Sequence, residues 1–398
     1  MSVTSHVKSG NHALHETSLP LQSSDLSLET NDQILQRISP FFSVKKTSYG
    51  GRGCFTDKSI EKDTSLLQVK FPVGSGVVRP FRKEVCMWCF HYENGRTMKF
   101  RLLNRIYFCS AGCQSDFIAH DFDGTLSSTI CAAEELFLKC SAEIFEDDVA
   151  DDVAEISQIM DSKWVSVLEW ENQVFRMKPS KRTPYYPTVT AEDYTEIQYI
   201  ISTLHNMRRC ESRRLLRQPQ AASQKSLKYL KEMSPEEAMD FELQTYEMLQ
   251  SLEVEKVKRY PYLLLSYLNI FKFVRLVAPE SWLQFVTPQN VRNILGRNLT
   301  NAFGIWSAVS QSEDKEYFGF GMYPSASFFN HSCASNIKKV RKGAGFEFIA
   351  SRDILPGEEL CISYGIKGDE SVTERQEILS EWFFTCACSR CNSERPNL

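Results

Sequence analysis

The alternation of apolar and polar positions divides the chain into distinct stretches. Residues 1–38 are polar, rich in Ser, Thr and His, and poor in aromatics. Such a stretch buries too little apolar area to offset its ordering entropy, so a flexible tail is expected. From there PFFSVKKTSYGGRGCFTDKSIEKDTSLLQVKFPV runs in short β-rich segments punctuated by Gly, which predicts strands and tight turns. Four cysteines then appear in two pairs between residues 86 and 113. A long helical region is predicted over 125–298. There CAAEELFLKCSAEIF spaces its apolar side chains at helical intervals, and Ser234 with Glu237 forms a capping-box signature. The acidic run from Asp147 to Glu155 reads as a solvated helix face, and RQPQAASQKS, 217–226, as the best internal linker. The final hundred residues return to short strands and Gly turns and end in three closely spaced cysteines. No internal repeat is apparent.

The longest apolar run, Tyr262 to Phe271, is too short to cross a bilayer, and Lys272 and Arg275 follow it. The N-terminus has no apolar segment of the signal-peptide kind. An intracellular protein, nuclear or cytoplasmic, is therefore expected, with no membrane association. Two glycosylation sequons, at Asn298 and Asn330, then carry no meaning. Composition adds that 42% hydrophobic and 24% charged residues is ordinary for a globular chain of 398 residues. Forty-six basic and 50 acidic residues leave a net charge of −4, which excludes a broad polyanion binder, so no direct nucleic-acid contact is expected.

Thirteen cysteines in a reducing compartment point to thiols and metal ligands rather than disulfides. Cys86-Met-Trp-Cys89 followed by Cys109-Ser-Ala-Gly-Cys113 has the two-pair spacing of a zinc site, with Gly112 easing the turn around the ion. Cys386, Cys388 and Cys391 supply three thiols within six residues, one short of a tetrahedral set. Cys54, Cys131, Cys140, Cys210 and Cys361 stand singly and read as small core hydrophobes. SFFNHSCASN, 327–336, places Asn, His and Ser beside two Phe, the pattern of a buried hydrogen-bonded turn. In PGEELCISYG a turn leads into a strand with Tyr364 at its end, and Tyr49-Gly50-Gly51-Arg52-Gly53 lets a ligand approach the backbone closely.

In order, GGRG, the cysteine pairs, TNAFGI (300–305), GFGMYPSASFFNHSC (319–333), GEELCISYG (357–365) and CACSRC (386–391) resemble the SET-domain protein-lysine methyltransferases. The likeness is greatest to the SET-and-MYND branch and its short fungal members, and covers roughly residues 39–398. The fold it implies is α+β: small SET sheets with a pseudoknot, a MYND-like zinc insert and a large helical insert. The segments are a tail (1–38), the SET N-terminal part (39–85), a degenerate MYND-like zinc module (86–124), the helical insert (125–298), the SET catalytic core (299–370) and a post-SET zinc segment (371–398).

The resemblance also implies roles. Gly51, Arg52 and Gly53 match the turn that holds the methionine part of S-adenosylmethionine. Asn301, Asn330 and His331 match cofactor contacts, Phe384 an aromatic on the adenine side, and Tyr364 the tyrosine at the methyl-transfer site. Cys333 joins Cys386, Cys388 and Cys391 in a post-SET zinc site. Tyr323, Phe329, Trp382 and Phe383 are candidate walls of the lysine channel. The second cysteine pair of a full MYND module is absent and His120 is out of register, so one zinc is expected there, two in the chain, with His120 solvated or capping. The chain ends soon after CACSRC, so a C-terminal helical-repeat domain is not expected and the substrate cleft is more open.

The function implied is an S-adenosylmethionine-dependent protein-lysine N-methyltransferase acting, as a monomer, on a lysine-containing protein of unspecified identity. A catalytically silent SET scaffold and a zinc-dependent adaptor are the alternatives, and the joint presence of Asn330, His331 and Tyr364 favours the enzyme.

Overall fold

The computed structural model describes residues 30–142, 156–216, 228–307, 315–366 and 368–395. The tail as far as residue 29, the acidic run and the 217–226 linker lie outside these residues. Helix α1 (Asn31–Gln36) opens with a capping box between Thr30 and Gln33. Leu35 and Ile38 are buried. The polar composition of the N-terminus concealed these two apolar anchors, and the packed fold starts before the expected residue 39.

Strands β1 (Ser43–Lys46) and β2 (Arg52–Phe55) form a hairpin across the Gly-rich turn. β3 (Ser65–Val69) and β4 (Gly74–Val77) follow. The cysteine module is a small hairpin of β5 (Phe100–Leu102) and β6 (Ile106–Phe108) closed by α2 (Ala111–His120). The helical region comprises α3 (Thr125–Cys140), α4 (Ile156–Phe175), α5 (Ala191–Leu216), α6 (Pro235–Tyr246), α7 (Glu253–Arg259), α8 (Tyr262–Val277) and α9 (Pro288–Asn301). The Ser234–Glu237 capping box starts α6 as expected. The apolar run at 262–271 is core: Tyr267, Leu268, Ile270 and Phe271 in α8 are buried. No described helix is long and apolar enough to cross a membrane.

The chain then returns through β7 (Ala302–Trp306), β8 (Tyr317–Met322), β9 (Asn330–His331), β10 (Ile337–Lys342), β11 (Gly345–Ala350) and β12 (Glu359–Ile362), and ends in α10 (Val372–Ser380) and α11 (Ser389–Glu394). Its sheets join the two ends of the chain. β4 pairs with β8 and β8 with β7, β3 pairs with β11 and β11 with β10, and the order β1-β2-β12-β9 makes a four-stranded sheet. In this last sheet β12 is antiparallel to β2 but parallel to β9, with Cys361 opposite Asn330 and Ile362 opposite His331. A parallel pair cannot be closed by a tight turn. The segment leading to Tyr364 is thus laid beside the Asn-His segment after a detour through β10 and β11, the arrangement expected of the pseudoknot.

Candidate functional site

The parallel pairing of β9 and β12 gathers the site. Asn330 Nδ2 donates to the Arg52 carbonyl at 2.9 Å and to Glu359 Oε1 at 2.8 Å, and lies 3.0 Å from the Tyr49 hydroxyl oxygen. The Tyr49 hydroxyl donates in turn to Glu359. Three distant stretches meet at one amide. Gly51 has φ of 74°, a conformation that favours glycine. Gly53 is required by contact instead: a Cβ there would lie 2.3 Å from Glu359 Oε1 and 2.7 Å from Asn330 Nδ2. Arg52 Nη1 donates to the Met248 carbonyl at 3.2 Å, in the loop after α6. Arg297, on α9, holds the same loop, donating from Nε to Leu249 O and from Nη2 to Glu247 O. Asn301 ends α9, its Nδ2 donating to Arg297 O at 2.9 Å, and its carbonyl accepts from the Ser327 hydroxyl at 2.9 Å. The Gly turn, Asn301 and the 247–250 loop therefore share one neighbourhood.

On the other side of β9, Tyr364 is held at both ends. Its backbone N–H donates to His331 Nδ1 at 3.1 Å, and its hydroxyl donates to the Phe329 carbonyl at 2.9 Å. Burial raises its phenol pKa above the ordinary value, so the hydroxyl stays protonated at neutral pH. Burial, followed by the nearby Arg375 charge, pushes the His331 imidazole down to about 4. The Tyr364 ring centroid is 5.4 Å from His331, 5.7 Å from Trp382 and 6.3 Å from Phe384. Phe383, between the last two, adopts φ of 60°, and the Arg259 guanidinium lies 5.6 Å above its ring. Arg259 and Tyr260, at the α7–α8 junction, also bond Ser380 and Glu381, fastening the helical region to this segment.

Eight cysteines form two groups: Cys86, Cys89, Cys109 and Cys113, and Cys333, Cys386, Cys388 and Cys391. The sulfurs in each lie within 4.8 Å of one another. Cys89 to Cys109 is 3.5 Å and Cys109 to Cys113 3.6 Å; Cys333 to Cys391 is 3.5 Å and to Cys386 3.9 Å. A tetrahedron with zinc–sulfur bonds of about 2.3 Å separates its sulfurs by about 3.8 Å, so both donor sets fit zinc. All thirteen cysteines are free thiols. Side-chain nitrogen donors to sulfur, among the described residues, fall on the second group. His331 Nε2 lies 3.2 Å from Cys333 Sγ, and Arg375 Nη2 and Gln376 Nε2 lie 3.7 and 3.5 Å from Cys391 Sγ. Arg375 is fully buried, with Glu394 and the Glu370 carbonyl as its other partners. In the first group the Cys89 thiol hydrogen bond draws Cys86 well below the usual thiol range.

Three expectations are corrected. Tyr323 and Phe329 are core residues: both rings are fully buried, Tyr323 against Phe303 and Phe346, Phe329 against Phe42 and Phe348. Residue type alone did not reveal which face each aromatic occupies. His120 is half-buried rather than freely solvated. It lies between Trp88 and His205 at 5.4 and 5.1 Å, its Nδ1 accepting from Arg209 Nη1, and burial with the Arg209 charge pushes it down to about 2. Gly112 lies within α2, where a Cβ would meet nothing closer than 3.6 Å, so no turn demands glycine there. Of the solitary cysteines, Cys54 is fully buried and the other four are half-buried. The sequence reading missed Glu359, Arg297 and the 247–250 loop. Of these, Glu359 was visible, in GEEL.

Comparison with known proteins is consistent with this arrangement. The SET domain family matches residues 159–365. The potential protein lysine methyltransferase SET6 of Saccharomyces cerevisiae is 30% identical over 403 residues, covering 92% of this chain and 98% of that protein. The histone-lysine N-methyltransferase SMYD3 of Homo sapiens is 36% identical over 96 residues, 24% of this chain and 21% of that protein. The histone-lysine N-methyltransferase ASHR2 of Arabidopsis thaliana is 28% identical over 123 residues, 27% of this chain and 29% of that protein.

Proposed function

The chain belongs to the SET-domain family of S-adenosylmethionine-dependent protein-lysine methyltransferases, and we propose that methyl transfer takes place beside Tyr364. The observation that carries this reading is the pairing of β12 with β9. It brings Tyr364 to His331 and Phe384, Asn330 to the Gly-rich turn, and His331 to a four-cysteine cluster.

Gly51, Arg52, Gly53, Asn330 and the backbone of His331 would hold the cofactor, with Asn301 and the 247–250 loop beside them and Phe384 covering its flat end. Gly53 lets the Glu359 carboxylate and the Asn330 amide close on the turn, where a Cβ would displace them, and the Glu359 carboxylate suits a cationic group. S-adenosylmethionine supplies, when bound, a methyl group on a sulfonium sulfur. The chain's task is alignment, which lowers a barrier of this kind by roughly 7 to 11 kcal/mol.

Tyr364 serves that task as an acceptor. Its only hydroxyl proton is committed to the Phe329 carbonyl, so its remaining lone pairs are available to an incoming amine or to weak C–H contacts. Because burial keeps the phenol neutral, it is not a general base at neutral pH. A lysine amine with an ordinary pKa near 10.4 must arrive neutral, and the aromatic surround of Tyr364, Trp382 and Phe384 disfavours its charged form. Zinc at each cluster would act as a cross-link; the second would pin the segment carrying Trp382 and Phe384 over the pocket. The substrate is a lysine-containing protein, met by a monomer inside the cell, and thirteen free thiols suit a reducing compartment.

The test is calorimetric titration of zinc-loaded protein with S-adenosylmethionine, beside an Asn330→Ala, His331→Ala double variant and Tyr364→Phe. Micromolar binding lost in the double variant and kept in Tyr364→Phe, with lysine methylation lost in both, is the expected result. A folded, zinc-replete protein that binds no cofactor would overturn the reading.

A further inference from the structure

His331 uses both ring nitrogens. The side chain is 9% exposed, its Nδ1 accepts from the Tyr364 backbone N–H, and its Nε2 faces Cys333 Sγ. A backbone amide only donates, so Nδ1 carries the lone pair and the ring proton sits on Nε2, directed at sulfur. A thiol accepts such a bond weakly, whereas a thiolate accepts it with the help of its charge. Cysteines ligating a metal are thiolates, and Cys333 lies 3.5 and 3.9 Å from the sulfurs of Cys391 and Cys386. Arg375 and Gln376 serve Cys391 instead. At its other end Tyr364 is fixed by the Phe329 carbonyl, so the segment 329–331 grips the tyrosine twice.

We propose that the His331 side chain is a positioning residue that couples metal occupancy of the Cys333, Cys386, Cys388 and Cys391 cluster to the backbone of Tyr364. This rests on the reading of Tyr364 as the transfer site and of the cluster as a zinc site. It is separate from the cofactor contact of the His331 backbone. A metal-held Cys333 thiolate fixes the imidazole plane through Nε2–H, and the fixed plane aims Nδ1 at the Tyr364 amide. The same ring, 5.4 Å from Tyr364 and 6.1 Å from Phe384, then also spaces two aromatic faces of the site. Loss of the metal leaves the ring without a charged acceptor, and Tyr364 loses one of its two holds.

The experiment uses the full chain with cadmium-113 in place of zinc. A proton–cadmium correlation is expected between one cadmium and an imidazole Nε2–H. Its absence in His331→Asn and in His331→Gln assigns it to this ring. The kinetic arm uses the same two variants as half-bridges. Asn keeps an acceptor near the Nδ1 position without a donor at sulfur; Gln keeps a donor near the Nε2 position without that acceptor. Each is expected to lower kcat by roughly 10- to 100-fold, as loss of a metal's outer-sphere partner does, with a much smaller change in the KM for S-adenosylmethionine. An Nδ1–H tautomer, or a four-thiolate cadmium signal with no imidazole correlation, overturns the bridge. Wild-type kcat in either half-bridge variant overturns the coupling. A second cluster that takes up no cadmium sinks the zinc reading and the bridge together. A wild-type protein with the correlation intact but no methyl transfer supports the bridge and counts against the enzymatic reading alone. A variant that misfolds is recognised by a shifted cadmium signal from Cys86, Cys89, Cys109 and Cys113, and the wild-type correlation still decides.

Discussion

The two cysteine clusters share one ligand set and differ in almost everything around it. Cys86, Cys89, Cys109 and Cys113 come from one short hairpin-and-helix module, with the Trp88 ring 5.0 Å from Phe71 and packed on Phe117 and His120. The second cluster spans 58 positions from Cys333 to Cys391 and touches His331, Arg375 and Gln376 through sulfur. One closes a local fold; the other ties a late segment of the chain to the centre of the site. Identical cysteine sets thus sit in different hydrogen-bonded surroundings, and those surroundings are the ground for expecting stability from the first and activity from the second.

The largest contrast is expected when one ligand is removed from each cluster. Cys388→Ser should abolish S-adenosylmethionine binding in a calorimeter while the helical region stays folded by circular dichroism. Cys89→Ser should lower thermal stability and leave the cofactor affinity close to wild type. Equal losses in both would erase the distinction.

Acid probes the packing behind the first cluster. His205 is fully buried, lies 3.2 Å from the His120 carbonyl through Nε2, and is pushed by burial down to about 4. The unfolded chain binds this proton near pH 6.5, so stability is present above that pH and is lost as pH falls from 6.5 towards 4. The loss is about 3 kcal/mol. His205→Gln should lack that part of the decline when unfolding free energies of variant and wild type are compared across the window.

Arg375→Met should weaken zinc at the second cluster by roughly tenfold or more, since it removes a buried cation and a donor to Cys391, and should leave the first cluster unchanged. Competition with a chromophoric chelator reads both sites. Glycines give the smallest contrast. Gly53→Ala should raise the cofactor Kd roughly tenfold, because overpacking of this kind costs about 1 to 3 kcal/mol. Gly112→Ala, inside a helix with open space around it, should stabilise the first module by about 0.5 to 1 kcal/mol in thermal unfolding.

Sequence legibility followed chain distance. The first cluster was readable from spacing, because its ligands are neighbours along the chain. Cys333 entered the second only through family resemblance, because no local pattern links residue 333 to residue 391. The Ser234 capping box announced α6, whereas α1, six residues long, hid in a polar tail despite Leu35 and Ile38. Aromatic residues were visible as a class but not by face: Trp382 lies near Tyr364, while Tyr323 and Phe329 turned into the core. His120 failed for a related reason, since its environment is set by Arg209 and His205 on α5, far along the chain. The 247–250 loop had no signal of its own, as its part is played by backbone carbonyls.

The hydrogen bond between Tyr49 and Glu359 joins residues 310 positions apart. On a ribosome adding roughly 5 to 20 residues per second, the first of these waits about 15 to 60 seconds for the second. Throughout that interval β2 has no β12 to pair with, and its edge is open to any passing strand. The pocket is thus among the last features to exist in a newborn molecule, after the helices between its halves have had time to condense.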